Sequence, residues 1–275
     1  MIIWLASYPK SGNTFVRSLL SSYFFSEEGY FDFNYLKSIK QFPSKQLFKK
    51  IGITTNNEDE ILKNYNHAQE YINKRAPLIL LKTHSSLFEI NKTKFTNLDN
   101  SLGVIYIVRD PRNVVTSFSN HFNLDINESA KRIILNSVLG ESTNEKVITY
   151  MLSWKYHYES WKLFKKEKKY LLVKYEELIK NPREILTKML NFIFRLSNNK
   201  SNIDFKKVDN VISSTTFEKL KDLEKKDNFD EKPKSMKSNF FKLGEKNKWQ
   251  NLLDQDVEKM ITNEFKKEMK ELGYR

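Results

Sequence analysis

Four short apolar runs, each ending against a polar or charged residue, constrain this chain more than anything else in it. They are Ile2-Ile3-Trp4-Leu5-Ala6-Ser7-Tyr8, Leu78-Ile79-Leu80-Leu81, Val104-Ile105-Tyr106-Ile107-Val108 and Tyr170-Leu171-Leu172-Val173. None alternates cleanly between apolar and polar, which is the habit of strands buried on both faces, as in parallel sheets. Helical patterns fill the stretches between. Phe15, Val16, Leu19, Leu20 and Tyr23 follow the first run, and Pro111 to Phe122 follow the third, with Asp110 at the N-cap and Pro111 at the first helical position. A long amphipathic helix is expected over 144–167, carrying Val147, Met151, Trp154, Tyr158 and Trp161 as a core stripe. Further helices are expected over 182–194 and 254–271, and a loop over the Lys/Asp-rich stretch 221–239. Strands alternating with helices predict an α/β fold, a single domain over 1–275 with a central parallel sheet flanked by helices.

Composition narrows the function classes. At 275 residues with 39% hydrophobic content the chain can bury a core without staples. It has no cysteine, which excludes disulfides, thiol nucleophiles, iron–sulfur clusters and Cys-ligated zinc, and fits a reducing compartment. Apolar runs such as Ile2–Ala6 fall far short of the ~20 residues that span a bilayer, and the N-terminus lacks a signal-like pattern. The expectation is a cytoplasmic protein with no transmembrane segment. The formal charge of +13 suggests an anionic partner, but only 8 of the 47 basic residues are Arg, the side chain favoured for forking phosphates. Part of the lysine excess therefore reads as compositional drift.

In open α/β sheets, ligands sit beyond the carboxyl ends of the strands. Here those ends are Tyr8–Thr14, Lys82–His84, Arg109–Ser117 and Tyr175. The first has the ingredients of a P-loop-like anion cradle: Gly12 for close backbone approach, a helix N-terminus, the Lys10 cation and the hydroxyls of Ser11 and Thr14. It is no Walker A loop, because its lysine precedes its single glycine, and an ordinary tight turn is the alternative. His84, two residues past Lys82, is the side chain best suited to take a proton near neutrality. His67, His121 and His157 end no strand beside a cation and are read as ordinary structural or surface histidines. Arg109 could fork a phosphate, and Arg112 could equally be a solvated first-turn residue. No metal-ligand spacing and no G-x-S-x-G elbow is present. Phe31, Phe33 and Tyr35 read as packing a helix on the sheet rather than as lining an acceptor pocket.

The strand ends together resemble those of sulfotransferases that use 3′-phosphoadenosine 5′-phosphosulfate (PAPS). Tyr8-Pro9-Lys10-Ser11-Gly12-Asn13-Thr14-Phe15 is similar to the family's YPKSGTTW loop, Lys82-Thr83-His84 to its KTH segment, and Tyr106-Ile107-Val108-Arg109 through Ser117 to its 3′-phosphate motif. Tyr175-Glu176-Glu177-Leu178 with Asn181-Pro182 is similar to YED…NP, Thr215-Thr216-Phe217 with Leu220 to TSF…M, and Gly244 with Trp249 keeps the spacing of RKGxxGDW. The resemblance implies that Lys10, Ser11, Gly12, Asn13 and Thr14 hold the 5′-phosphosulfate, that Arg109 and Ser117 bind the 3′-phosphate, and that Phe15 and Tyr175 contact the adenine. Thr215, Phe217, Lys242 and Gly244 complete the nucleotide set, with Lys242 standing where the family has Arg. It implies His84 as general base, with Lys10 and Lys82 stabilising charge in the transfer, no metal, and adenosine 3′,5′-bisphosphate as product. The acceptor would be a hydroxyl of a small molecule, lipid or carbohydrate, with no nucleic-acid partner; the oligomeric state stays open. The chain departs from the pattern at Asn13, Phe15, Leu243 and Asn247-Lys248. The alternatives are a catalytically silent nucleotide- or polyanion-binding relative and a P-loop nucleotide kinase.

Overall fold

The computed structural model describes residues 1–139, 147–226, 229, 240–241, 244 and 247–274. They fall into two compact units. One comprises 1–8, 39–108 and 136–203; the other comprises 9–38, 109–135 and 204–275.

The first unit holds the sheet. Strands β1 (Ile2–Ser7), β2 (Ile79–Thr83), β3 (Ser101–Val108) and β4 (Tyr170–Lys174) pair in the order β2-β1-β3-β4, every pairing parallel. β1 is buried along its whole length, which is why its sequence shows no alternation. The sheet runs further than the apolar runs suggested: β2 continues through Lys82 and Thr83, and β3 begins at Ser101. Ser101 earns its place in a core strand by accepting from the buried Trp4 indole, Nε1 to Oγ 2.8 Å. Trp4 also meets the rings of Phe42, Phe95 and Trp161 at centroid distances of 5.1–6.3 Å, an aromatic core of edge and tilted pairs.

The helix expected over 144–167 is shorter than its periodicity suggested. Residues 140–146 lie outside the described residues, Thr149–Tyr150 pairs antiparallel with Val138–Leu139, and Leu152 adopts φ 57°. The helix starts only at Trp154, capped by the Ser153 hydroxyl accepting from the Tyr156 N–H, and ends at Trp161 before a 3₁₀ turn Lys162–Lys165. The core stripe is borne out: Trp154 and Trp161 are inaccessible to solvent and Met151 and Tyr158 nearly so. The helix after Pro182 runs to Leu196.

The second unit is helical. Its elements include α1 (Asn13–Phe25), α2 (Pro111–Phe122), α3 (Ile126–Ile134), α4 (Phe205–Ser214), α5 (Phe217–Lys226), α6 (Gln255–Glu264) and α7 (Lys266–Leu272). Asp110 caps α2 by accepting from the Arg112 N–H, with Pro111 at the first helical position as its sequence implied. Two expectations change here. The stretch 221–239 opens as helix, since α5 extends to Lys226, while most of the rest lies outside the described residues; the single C-terminal helix is two, joined at Phe265. Phe31 packs with Leu36, Leu220, Phe229 and Phe241 in one cluster, flanked by Phe15, Phe33 and Phe217. No helix among the described residues is long and apolar enough to cross a membrane.

Gly103 tests the packing of the sheet unit. A Cβ built there would lie 2.5 Å from Leu196 Cδ1 and 2.9 Å from the Lys169 carbonyl. Gly103→Ala should cost about 1–3 kcal/mol through overpacking, measured as a fall in the urea midpoint with unchanged slope.

Candidate functional site

All four strands of the sheet end on one edge, at Ser7, Thr83, Val108 and Lys174. The β1–β2 register pairs Ala6 with Thr83, so the next residues along, Ser7 and His84, fall side by side. His84 Nδ1 lies 2.8 Å from the Ser7 carbonyl and 3.2 Å from the Ser7 hydroxyl. A carbonyl only accepts, so Nδ1 carries the proton and Nε2 is the basic nitrogen. Lys82 is nearly buried and stands two residues earlier, inside the end of β2.

A second histidine, which its sequence gave no reason to single out as functional, lies behind this end of β2. His157 is fully buried, and its Nε2 lies 3.2 Å from the His84 carbonyl while its Nδ1 lies 2.8 Å from the Tyr106 hydroxyl. Burial pushes its imidazole down to about 3, against weaker raising effects from backbone hydrogen bonds, so the ring is neutral. Nε2–H therefore donates to His84, and Nδ1 accepts from Tyr106, whose own proton is held firmly by burial. The same helix secures the following turn: the Trp161 indole donates to the Ser85 carbonyl at 3.1 Å, and Ser160 Oγ accepts from the Leu87 N–H at 3.0 Å. The sequence did carry a signal for this. Trp154, His157, Tyr158 and Trp161 share the i, i+3, i+4, i+7 stripe, which buries whatever stands at 157.

In the second unit, the loop before α1 bends through Lys10 at φ 68° and Gly12 at φ 102°. Gly12 is the N-cap, no side chain caps the helix, and its first turn carries no acid, so the positive end of the helix is left for an anion. Ser11 is buried and its hydroxyl has no hydrogen-bond partner among the described residues. An orphaned donor beside an uncapped helix end is what a cradle for phosphate or sulfate oxygens requires. Arg109, nearly buried, donates from Nη1 to the Lys10 carbonyl at 3.2 Å, fixing the turn. The Lys10 ammonium donates to His121 Nδ1 at 3.1 Å and stands 4.4 Å from the Phe240 ring centre. His121 is thus more than an ordinary surface histidine.

Arg112 is not a solvated residue. It is 3% exposed, forks Asp110 through Nε and Nη2 at 3.0 and 2.8 Å, and stacks on Trp249 at 3.9 Å. Asn247, where the sequence departed from its pattern, ties down the same helix: its Oδ1 accepts from Thr116 at 2.7 Å and its Nδ2 donates to the Asn113 carbonyl at 3.1 Å. Asn113 Oδ1 in turn accepts from the Trp249 N–H at 2.9 Å. Ser117 is half-exposed on α2, and Thr14 and Phe15 are half-buried at the start of α1, where Asn13 is buried. Thr215 is buried and donates its hydroxyl proton to the Val211 carbonyl. Gly244, at φ 50°, sits against Phe217, whose ring would lie 2.7 Å from any Cβ there. Tyr175 begins the short helix after β4 in the sheet unit, half-buried. Lys242 and Leu243 lie outside the described residues.

Against known proteins, the match to the sulfotransferase domain covers residues 2–273. The chain belongs to that family. Sulfotransferase 1A1 of Rattus norvegicus is 29% identical over 143 residues, 52% of this chain and 45% of its own length. Sulfotransferase 1B1 of Canis lupus familiaris is 26% identical over 279 residues, 97% of this chain and 83% of its own. A mouse sulfotransferase complexed with PAP shares the fold with a TM-score of 0.59 at 19% identity, covering 97% of this chain and 84% of that one. Retinol dehydratase in complex with retinol and PAP does so at 0.57 and 18%, covering 98% and 81%. The α/β architecture with a central parallel sheet is thus that of the sulfotransferases.

Two measurements probe the site's scaffold. Arg112→Ala strands a buried Asp110 carboxylate and should destabilise the protein by about 3–5 kcal/mol in urea unfolding. His157 gives a pH signature. Its folded value is depressed below the unfolded one, so the unfolded chain binds the extra proton between about 6.5 and about 3. Stability is fully present above that window and should fall by up to about 1.4 kcal/mol per pH unit on acidification through it; His157→Gln should remove that slope.

Proposed function

We propose that this sulfotransferase-family protein moves the sulfuryl group of PAPS to a hydroxyl acceptor, releasing adenosine 3′,5′-bisphosphate. The observation that carries the reading is the loop Lys10–Thr14: an uncapped helix N-terminus, a buried Ser11 hydroxyl lacking a partner among the described residues, and a lysine whose carbonyl accepts from Arg109. These residues fit an anionic 5′-phosphosulfate. PAPS, when bound, supplies an activated sulfuryl group on a phosphate leaving group.

The remaining work falls to the chain. Lys10, Ser11, Gly12, Asn13 and Thr14 hold the 5′ end, and Lys10 neutralises charge growing on the departing oxygen. Arg109 and Ser117 take the 3′-phosphate, with Lys242 as a further cation. Phe15, Tyr175, Thr215, Phe217 and Gly244 shape the place for the base; Phe217 and Gly244 act as one packed pair, since the glycine makes room for the ring. His84, its Nδ1–H spent on the Ser7 carbonyl, takes the acceptor proton through Nε2, and Lys82 holds the sulfuryl oxygens. By analogy with phosphoryl transfer, positioning and charge stabilisation do most of the work. We take residues 1–275 as one sulfotransferase domain, and the absence of cysteine supports a cytoplasmic setting. The acceptor is assigned as a hydroxyl on a small molecule, lipid or carbohydrate.

A transfer assay with labelled PAPS and a panel of hydroxyl acceptors tests this. His84→Ala should lower kcat by about 10²–10⁴ while adenosine 3′,5′-bisphosphate affinity holds. Arg109→Ala should weaken that affinity by about 10- to 100-fold, the loss of a charge-assisted hydrogen bond. Tight bisphosphate binding with no transfer to any acceptor would instead mark a silent relative.

A further inference from the structure

We propose that His157 is a positioning residue for the reaction: its Nε2–H holds the backbone carbonyl of His84 and thereby aims the His84 imidazole. The inference deepens the reading of His84 as general base and rests on it.

His84 has two tethers at the end of β2. Its ring is held through Nδ1–H on the Ser7 carbonyl, and its backbone is held through its own carbonyl by His157. The first tether selects the tautomer. The second fixes the peptide plane from which the side chain springs, just past the point where the β-ladder stops supplying hydrogen bonds. A residue beyond the last rung would otherwise set its direction by loop preference alone, and a small misplacement of a proton acceptor costs a large factor in rate.

The chemistry of the buried ring suits this task and little else. Both nitrogens are committed, one as acceptor from Tyr106 and one as donor to His84, and the donor order cannot be reversed because a carbonyl has no proton to give. Full burial keeps the ring neutral and removes it from direct contact with substrate. The ring is clamped by Tyr8, edge-on at 5.6 Å, and by Tyr106 at 5.6 Å. Tyr8 directly follows β1, whose last residue Ser7 holds the His84 ring, so the two tethers share one rigid frame.

The test isolates the donor. In a Tyr106→Phe background, which removes the hydroxyl that would be orphaned, His157→Gln keeps an N–H where Nε2 stood and His157→Leu removes it. The Leu variant should lose kcat by about 10- to 100-fold relative to the Gln variant, at equal adenosine 3′,5′-bisphosphate affinity. ¹⁵N NMR of the His84 ring should show the single Nδ1–H tautomer in the Gln variant and a mixture in the Leu variant. Equal kcat and equal ring spectra in the two overturn the proposal, as does a loss of bisphosphate affinity that matches the loss of turnover. Failure of the base assignment is read separately: a His84→Ala variant at parental turnover would remove it, whatever the ring spectra report on position 157.

Discussion

The geometry of the strand ends depends on where β1 stops. A parallel ladder supplies each strand with partners until it ends, and the carbonyl at its last rung must find a donor elsewhere. At Ser7 that donor is the ring of His84, delivered by the register of β2. One backbone acceptor therefore selects the tautomer of a histidine, and the tautomer decides which nitrogen is basic. The flanking aromatic core, with Trp4 inaccessible to solvent and Trp161 reaching over to Ser85, keeps the strand ends from drifting.

The second unit works by a different economy, in which cations are held by partners that keep them in place. Lys10 rests on His121 and Phe240, and Arg109 on the Lys10 carbonyl. Arg112, by contrast, is engaged by Asp110, by Trp249 and by Glu258 of α6 at 4.0 Å, and serves the frame around α2. Among the described residues, Lys10 and Arg109 are the cations held in the loops that follow β1 and β3.

How much of this could be read beforehand follows from range. The four strands were legible because burial on both faces leaves unbroken apolar runs, and the glycine turn before α1 because its residues are consecutive. Features joining distant segments were not: the pairing of His157 with His84, of Asn247 with Thr116, and of Lys10 with His121 each links residues more than 70 positions apart. A lone histidine in an aromatic stripe looks like packing until its neighbours are known. The helix over 144–167 is shorter than expected because Val147 and Met151 keep helical spacing and are buried while lying on a segment that pairs as strand at Thr149–Tyr150 and takes φ 57° at Leu152. Asn247 looked like decay of a motif; bonded to Thr116 and Asn113, it has become a fastening for α2.

The seat of Trp249 has a spectroscopic consequence. Of the four tryptophans, Trp4, Trp154 and Trp161 lie in the sheet unit and are wholly shielded from water. Trp249 alone belongs to the helical unit that contains α1 and α2, half-exposed and stacked on a guanidinium. A water-borne quencher reaches its emission first, so the chain carries a native fluorophore that reports on α2 and its surroundings without any label.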